Sequence, residues 1–274
     1  MPGSNEFDGF SAPLSPGGAH ALYGPPPWRF EGYSASVLLE VDGEAMRALI
    51  PEPLSLSGPA ACRLSVHDII CDYGFGREFT QRNPDQAHYH EAIVGFLTET
   101  DGIKGQWCPY SWCSTDAEFA GGRELYGWPQ KMGSMSLTRR PLAGWRVGDI
   151  VTGLVSRGNR AVFDISVSLE RQGDLPQEAT QASFPDQSQV SQYFTETALP
   201  DPVNPGQVER RMILTPMIDM TVGDLWSGAG NVNITAPELD FLQDANILGG
   251  RAHEVSWTKP YPDRLISKRV VPAG

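Results

Sequence analysis

"GGRELYGWPQKMGS" runs from Gly121 to Ser134. Two glycines open it, Arg123 and Glu124 follow, Tyr126 and Trp128 flank a third glycine, and Pro129, Gln130 and Lys131 lead to a fourth. Its meaning turns on whether Lys131 is a nucleophile or a surface charge in a turn. A lysine attacks a carbonyl only when its ammonium is destabilised, by desolvation or by a neighbouring cation. The stem of Lys131 can lie against Trp128 and Pro129, Arg123 is a fixed cation able to hold a carboxylate, and Glu91 and Glu124 are candidate proton carriers. The plain alternative is a solvated ammonium on a long stem beside a structural Arg123–Glu124 ion pair.

Working outward, the flanking sequence is strand-rich. Residues 32–42 (GYSASVLLEVD), 61–74 (ACRLSVHDIICDYG) and 89–100 (YHEAIVGFLTET) read as strands, and 101–106 (DGIKGQ) as a hairpin turn. Residues 107–125 carry strand and then loop signals, and 135–170 repeat short β segments between glycine-bearing turns. Residues 209–236 resume the strands, and 252–262 (AHEVSWTKPYP) read as the last one. Helical spacing in GEAMRALIP ends at Pro51, while 77–88 (REFTQRNPDQAH) reads as a polar loop. PELDFLQDAN (237–246) fits a short helix or an apolar lid. Residues 1–27, rich in Gly, Pro and Ser, read as a flexible or surface-draped arm, and 173–194 as a polar excursion. The expectation is an α+β, β-dominated fold: one domain over 28–274, its antiparallel sheets closed into a barrel or cone, with few helices.

Bulk properties narrow the function. With 274 residues the chain can bury a core without disulfides or metals. A formal net charge of −12 disfavours nucleic acid and anionic membranes. Cys62, Cys71, Cys108 and Cys113 match no zinc or redox spacing and read as buried thiols. No apolar run approaches the ~20 residues of a membrane span, so the expectation is a soluble cytoplasmic protein. His88, His90 and Glu91 lack a third metal ligand, and no glycine cluster fits a phosphate loop or dinucleotide fingerprint. No cofactor and no metal are expected, and no G-x-S-x-G elbow points to hydrolase chemistry.

GGRELYGWPQKMGS resembles the active-site segment of the acetoacetate decarboxylase family, which carries Gly-Arg-Glu and then an aromatic, Pro-Lys-Lys and a small residue. MRALIPEPLSL (46–56), YHEAIVGFLTETDGIKGQW (89–107) and MTVGDLWSGAGNVNI (220–234) extend the likeness over about residues 28–262. The resemblance implies a β-rich cone or barrel in a homo-oligomer, a small-molecule carbonyl substrate, and a Schiff base on the first lysine of the pair. Here that position is Gln130 and Lys131 is the neighbour. The family's further arginine and second acidic position have no counterpart near FEGYSAS and ACRLS.

Three readings follow. Lys131 slips into the pocket and forms the imine, in a decarboxylase, an aldolase-dehydratase or a related carbon–carbon lyase, with Glu91, Arg123 and Gln130 as the other catalytic residues. Alternatively the pocket works noncovalently as a cyclase or dehydratase through Gln130, Glu91 and Arg123. The third reading is a binding protein without chemistry. In each, Glu124, Tyr126, Trp128 and Tyr89 are the expected substrate contacts.

Overall fold

The computed structural model describes residues 7, 8, 10, 15, 16, 18, 20–175, 192–200, 203, 204 and 206–272. In chain order the strands are β1 (Phe7–Asp8), β2 (Ser15–Pro16), β3 (Trp28–Glu40), β4 (Ser55–Leu56), β5 (Ala61–Cys71), β6 (His88–Thr100), β7 (Ile103–Cys113), β8 (Gln130–Met132) and β9 (Ser134–Leu137). They continue as β10 (Ile150–Arg157), β11 (Arg160–Ser168), β12 (Arg171–Gln172), β13 (Gln192–Pro200), β14 (Gln207–Pro216), β15 (Ile218–Gly228), β16 (Gly230–Ile234), β17 (Asn246–Lys259) and β18 (Arg264–Pro272). Helices are short: α1 (Gly43–Arg47), α2 (Arg77–Arg82), α3 (Pro84–Ala87), α4 (Asp116–Glu124) and a 3₁₀ turn at Pro237–Leu242. β1 and β2 form a small separate pair.

A twelve-stranded sheet carries the molecule, in the order β12-β15-β17-β3-β5-β6-β7-β13-β14-β18, with β4 on β6 and β8 on β7. The expected closed barrel is not formed. The strand path ends on β12 at one edge and β18 at the other, and these edges do not pair. Most contacts are antiparallel, but β7 runs parallel to both β8 and β13. The β7–β8 contact is parallel because α4 carries the chain back before β8 begins, as a parallel connection requires.

Alternation sorts the long strands into two faces. Ala35, Val37 and Leu39 of β3, Cys62, Leu64 and Val66 of β5, and Ala92 and Val94 of β6 face a second sheet, β16-β11-β10-β9. Trp112 of β7 and Phe163 of β11 meet edge to face across that layer, centroids 6.0 Å apart. The other face is different in kind. On β5 it carries Arg63, Ser65, His67, Ile69 and Cys71, and on β17 His253, Val255, Trp257 and Lys259, nearly all buried. A polar face shut away from water is costly unless its groups are paired, which marks it as the side to search for a site.

Several local expectations change. Residues 77–88 form α2 and α3 rather than a loop, with Pro84 opening α3 where its missing N–H costs nothing. Residues 116–124 form α4, with Asp116 and Glu118 in its first turn. α1 is capped by Asp42 and stops at Arg47, short of Pro51. The turn at 101–102 forms with Asp101 and Gly102 both at positive φ, as a tight hairpin needs. The 3₁₀ turn at Pro237–Leu242 buries Leu239 and Leu242 in the core between the sheets, so it does not lid the polar face. β17 is followed by one more strand, β18. Tyr23, in the arm expected to be flexible, is buried against Trp28, and Gln86 donates to Leu22 O at 2.5 Å. Residues 176–191 of the polar excursion lie outside the described residues.

Phe163 is 1 % exposed in the inter-sheet core, whereas Leu154 on β10 is 52 % exposed. Phe163→Ala should cost about 3–5 kcal/mol of unfolding free energy, and Leu154→Ala less than about 0.5 kcal/mol. Urea unfolding of the two variants checks both values.

Candidate active site

The polar face closes over a cavity of about 60 Å³, room for a few water molecules at ~10–15 Å³ each. Its walls include Glu91, Tyr89, Glu118, Trp128, Lys259, Arg63, His67 and His253. Register explains how distant residues meet. His253 is paired with Ser34, Ser34 with His67, and His67 with Glu91, so one row crosses β17, β3, β5 and β6. α4 lies over this row and lowers Glu118 toward it.

Gln130 binds the two acids together. It is fully buried, and its amide nitrogen donates to Glu91 Oε1 and to Glu118 Oε1, both at 2.9 Å. Ser111 Oγ donates to Glu91 Oε1 at 3.4 Å, and Tyr73 Oη to Glu118 Oε2 at 3.3 Å. The glycines of the opening stretch make this packing feasible. A Cβ on Gly122 would stand 2.0 Å from Gln130 Oε1, and one on Gly121 would stand 2.5 Å from the Trp28 ring. Arg123 Nη1 donates to Gln130 O at 3.0 Å and fixes β8 from outside.

Burial, and then repulsion from Glu118, pushes the Glu91 carboxyl up to about 8. Burial raises Glu118 as well. Two carboxyls held by one amide cannot both ionise cheaply in a desolvated site. Lys259 stands opposite, 6 % exposed, with Nζ 3.9 Å from the Tyr126 ring centroid, 5.2 Å from that of Trp128 and 5.6 Å from that of Phe30. Desolvation lowers its pKa against the opposing pull of Glu118 and Glu91. Tyr126 Oη donates to Pro260 O at 3.0 Å and so anchors the end of β17.

The expected site residues therefore divide. Glu91, Tyr89 and Trp128 line the cavity, Gln130 lies just behind it with both amide hydrogens engaged, and Tyr126 lies beneath Lys259. Lys131 is turned away: its side chain is 41 % exposed and its Nζ is 3.7 Å from Glu238 Oε1. This revises the expectation of a nucleophile there. Neighbours on a strand face opposite sides, so Gln130 pointing in sends Lys131 out. Arg123 is likewise outside, stacked 5.4 Å from the Phe119 centroid, and Glu124 accepts from Tyr23 Oη at 2.7 Å on the surface. His88 and His90 fall on the side of β6 opposite Glu91, and His90 lies 3.9 Å from Asp68.

Sequence reasoning missed Lys259, Glu118 and Arg63. A signal for Lys259 existed: the chain has four lysines (104, 131, 259 and 268), and only Lys259 shares strand parity with His253 and Trp257. Glu118 was hidden because two glycines made α4 read as loop.

The titrating groups set a stability profile. Glu91 keeps its proton to about pH 8 when folded and loses it near 4.5 when unfolded, so stability falls as pH rises through that window. Glu118 adds to the same limb, while Lys259 acts oppositely toward the ordinary lysine range. His67 and His253 stay neutral down to about 3 when folded, by burial and then the Arg63 charge, against 6.5 unfolded, so stability also falls as pH drops below 6.5. Between 4.5 and 6.5 the two histidines and the two raised carboxyls, Glu91 and Glu118, act in opposite senses. Above pH 6.5 the histidines are neutral in both states, and Glu91 by itself makes stability fall toward pH 8 by up to about 1.4 kcal/mol per pH unit. Glu91→Gln should flatten the alkaline descent, as urea unfolding at pH 6.5 and 8 will test.

Comparison with known proteins agrees with this fold. Residues 11–261 match the family described as acetoacetate decarboxylase (ADC). No match to a curated protein was found. An acetoacetate decarboxylase-like enzyme from Sphingomonas wittichii RW1 superposes with a TM-score of 0.83 at 20 % identity, covering 96 % of this chain and 100 % of its own. The enduracididine biosynthesis enzyme MppR superposes at 0.79 and 24 % identity, covering 97 % of each chain, and further MppR structures hold pyruvate or the condensation product of pyruvate and imidazole 4-carboxaldehyde. The acetoacetate decarboxylase of Legionella pneumophila superposes at 0.74 and 18 % identity, covering 97 % of this chain and 98 % of its own. These likenesses establish the fold, and the family match extends over most of the sequence: the chain belongs to the acetoacetate decarboxylase family.

Proposed function

We propose that this protein is a lyase acting on a small keto acid, and that Lys259 is the amine that takes the carbonyl. The observation that carries the reading is the placement of Lys259, the one lysine of four that lines the cavity, opposite Glu91 and Glu118. Desolvation raises the share of neutral amine, as a nucleophilic lysine needs. The amine nitrogen attacks the carbonyl carbon, and the carbonyl electron pair moves to oxygen. Glu91, held as the acid, gives its proton to that oxygen. One hydrogen moves from nitrogen to the same oxygen, water leaves, and a protonated imine and a Glu91 carboxylate remain. The imine then draws in an electron pair from the adjacent carbon. Either a C–C bond breaks with loss of carbon dioxide, or a C–H bond breaks with its proton going to the carboxylate. Gln130 is a positioning residue that keeps the two acids together.

A second reading has one observation in its favour. The Tyr126 ring face, 3.9 Å from Nζ, favours the charged ammonium. In that case Lys259 stabilises developing negative charge, and Glu91 and Glu118 exchange protons with a noncovalently bound substrate.

Borohydride trapping separates the two. Pyruvate or acetoacetate followed by reduction should leave an adduct that peptide mass spectrometry maps to Lys259. The adduct should vanish in Lys259→Met and persist in Lys131→Met. Turnover without any adduct favours the noncovalent reading, and an adduct on Lys131 overturns both.

A further inference from the structure

We propose that Arg63, with the imidazoles of His67 and His253, forms a carboxylate seat in the cavity, and that the protein selects anionic carbonyl substrates over neutral ones through it. The inference rests on the proposed function for the reacting carbonyl only. The seat itself is argued from separate residues.

Arg63 is 4 % exposed on the inward face of β5 and lines the cavity. Gln106 Oε1 accepts from its Nη2 at 2.5 Å and the Tyr193 hydroxyl also meets the guanidinium, and these two neutral partners orient it toward the cavity wall. His67 and His253 stand on either side of Ser34 in strand register, about 10 Å apart across two ~4.8 Å strand spacings. Ser65 Oγ meets His67 Nε2 at 2.9 Å. The Nδ1 atoms of both histidines are shielded from solvent and have no hydrogen-bond partner among the described residues.

Two buried ring nitrogens without partners are costly unless a ligand or water meets them. Beside a guanidinium, the group they suit is an acceptor carrying negative charge. The imidazoles are neutral because of burial and the Arg63 charge, so each holds one N–H: His253 can carry it on Nδ1, and His67 can do so when Ser65 Oγ turns from Ile93 O to donate to its Nε2, while the arginine supplies the cation. The acids that line the cavity, Glu91 and Glu118, are both engaged by Gln130 and do not take this role. The cavity thus has two chemistries: a proton-handling group of Lys259, Glu91 and Glu118, and a donor group of Arg63, His67 and His253.

Pyruvate and its neutral ester methyl pyruvate test the seat without any mutation. Calorimetric titration of the wild-type chain should find pyruvate bound at least about tenfold more tightly, the range of a hydrogen bond to a charged group. Equal affinity overturns the seat. Arg63→Met should bring the ratio close to one, with Arg63→Lys between, each variant checked for folding by circular dichroism. A ratio that survives in folded Arg63→Met also overturns it. Borohydride trapping of methyl pyruvate on Lys259 should persist in Arg63→Met, because the amine is untouched. If neither carbonyl is trapped in the wild type while pyruvate still binds through Arg63, the imine reading fails and the seat stands.

Discussion

One amide holding two carboxyl groups is the constraint on which the cavity depends. The Gln130 nitrogen donates to Glu91 on β6 and to Glu118 on α4. Glu91 is 39 and Glu118 12 positions away from it in sequence. Bringing them together requires the α4 crossover, the parallel seating of β8 on β7, and a glycine at 122 so that helix and amide can touch. Loss of any one of these would take the amide donor from a buried carboxyl and leave only the longer bonds from Ser111 to Glu91 and from Tyr73 to Glu118.

This arrangement explains how the pocket differs from the family pattern on which it was first read. Where the resemblance places an imine-forming lysine, the chain has a glutamine that gives both hydrogens to acids. The positive charge opposite those acids comes instead from Lys259, at the end of a strand on the other side of the cavity. The polar inward face tolerates this because aromatic rings surround the ammonium and Tyr126 fixes the backbone beneath it. Hydrophobic packing is shared between the two faces: β3, β5 and β6 meet the smaller sheet on one, and Trp28, Ile69, Tyr89 and Tyr126 belong to a second cluster on the cavity side.

Much of this was legible from residues alone, for physical reasons. ACRLSVHDIIC and YHEAIVGFLTET were legible as strands from their β-branched and apolar residues, while the register that puts Glu91 beside His67 is a tertiary fact. Tyr89 and Glu91 share parity on β6 and both line the cavity, whereas Trp128 precedes β8 and reaches it from a turn. The opening of the sheet was not, because edge pairing leaves no local pattern. α4 was not legible because adjacent glycines depress helix propensity, and they are there for contact with Trp28 and Gln130 rather than for a turn. Parity on β8 could have settled Lys131, since a buried Gln130 dictates an outward neighbour. Lys259 needed knowledge of which face of β17 is enclosed, and that is a tertiary fact.

Lys259 is a desolvated amine facing an acid pair. The most direct test of this is the titration of the Lys259 side chain by NMR, with carbon-13 at Cε and Lys259→Arg to assign the signal. The midpoint should lie below the 10.5 of an ordinary lysine, set by burial against the pull of Glu118 and Glu91. A midpoint at or above 10.5 would show that the acids hold the ammonium charged and that Lys259 is not a destabilised amine.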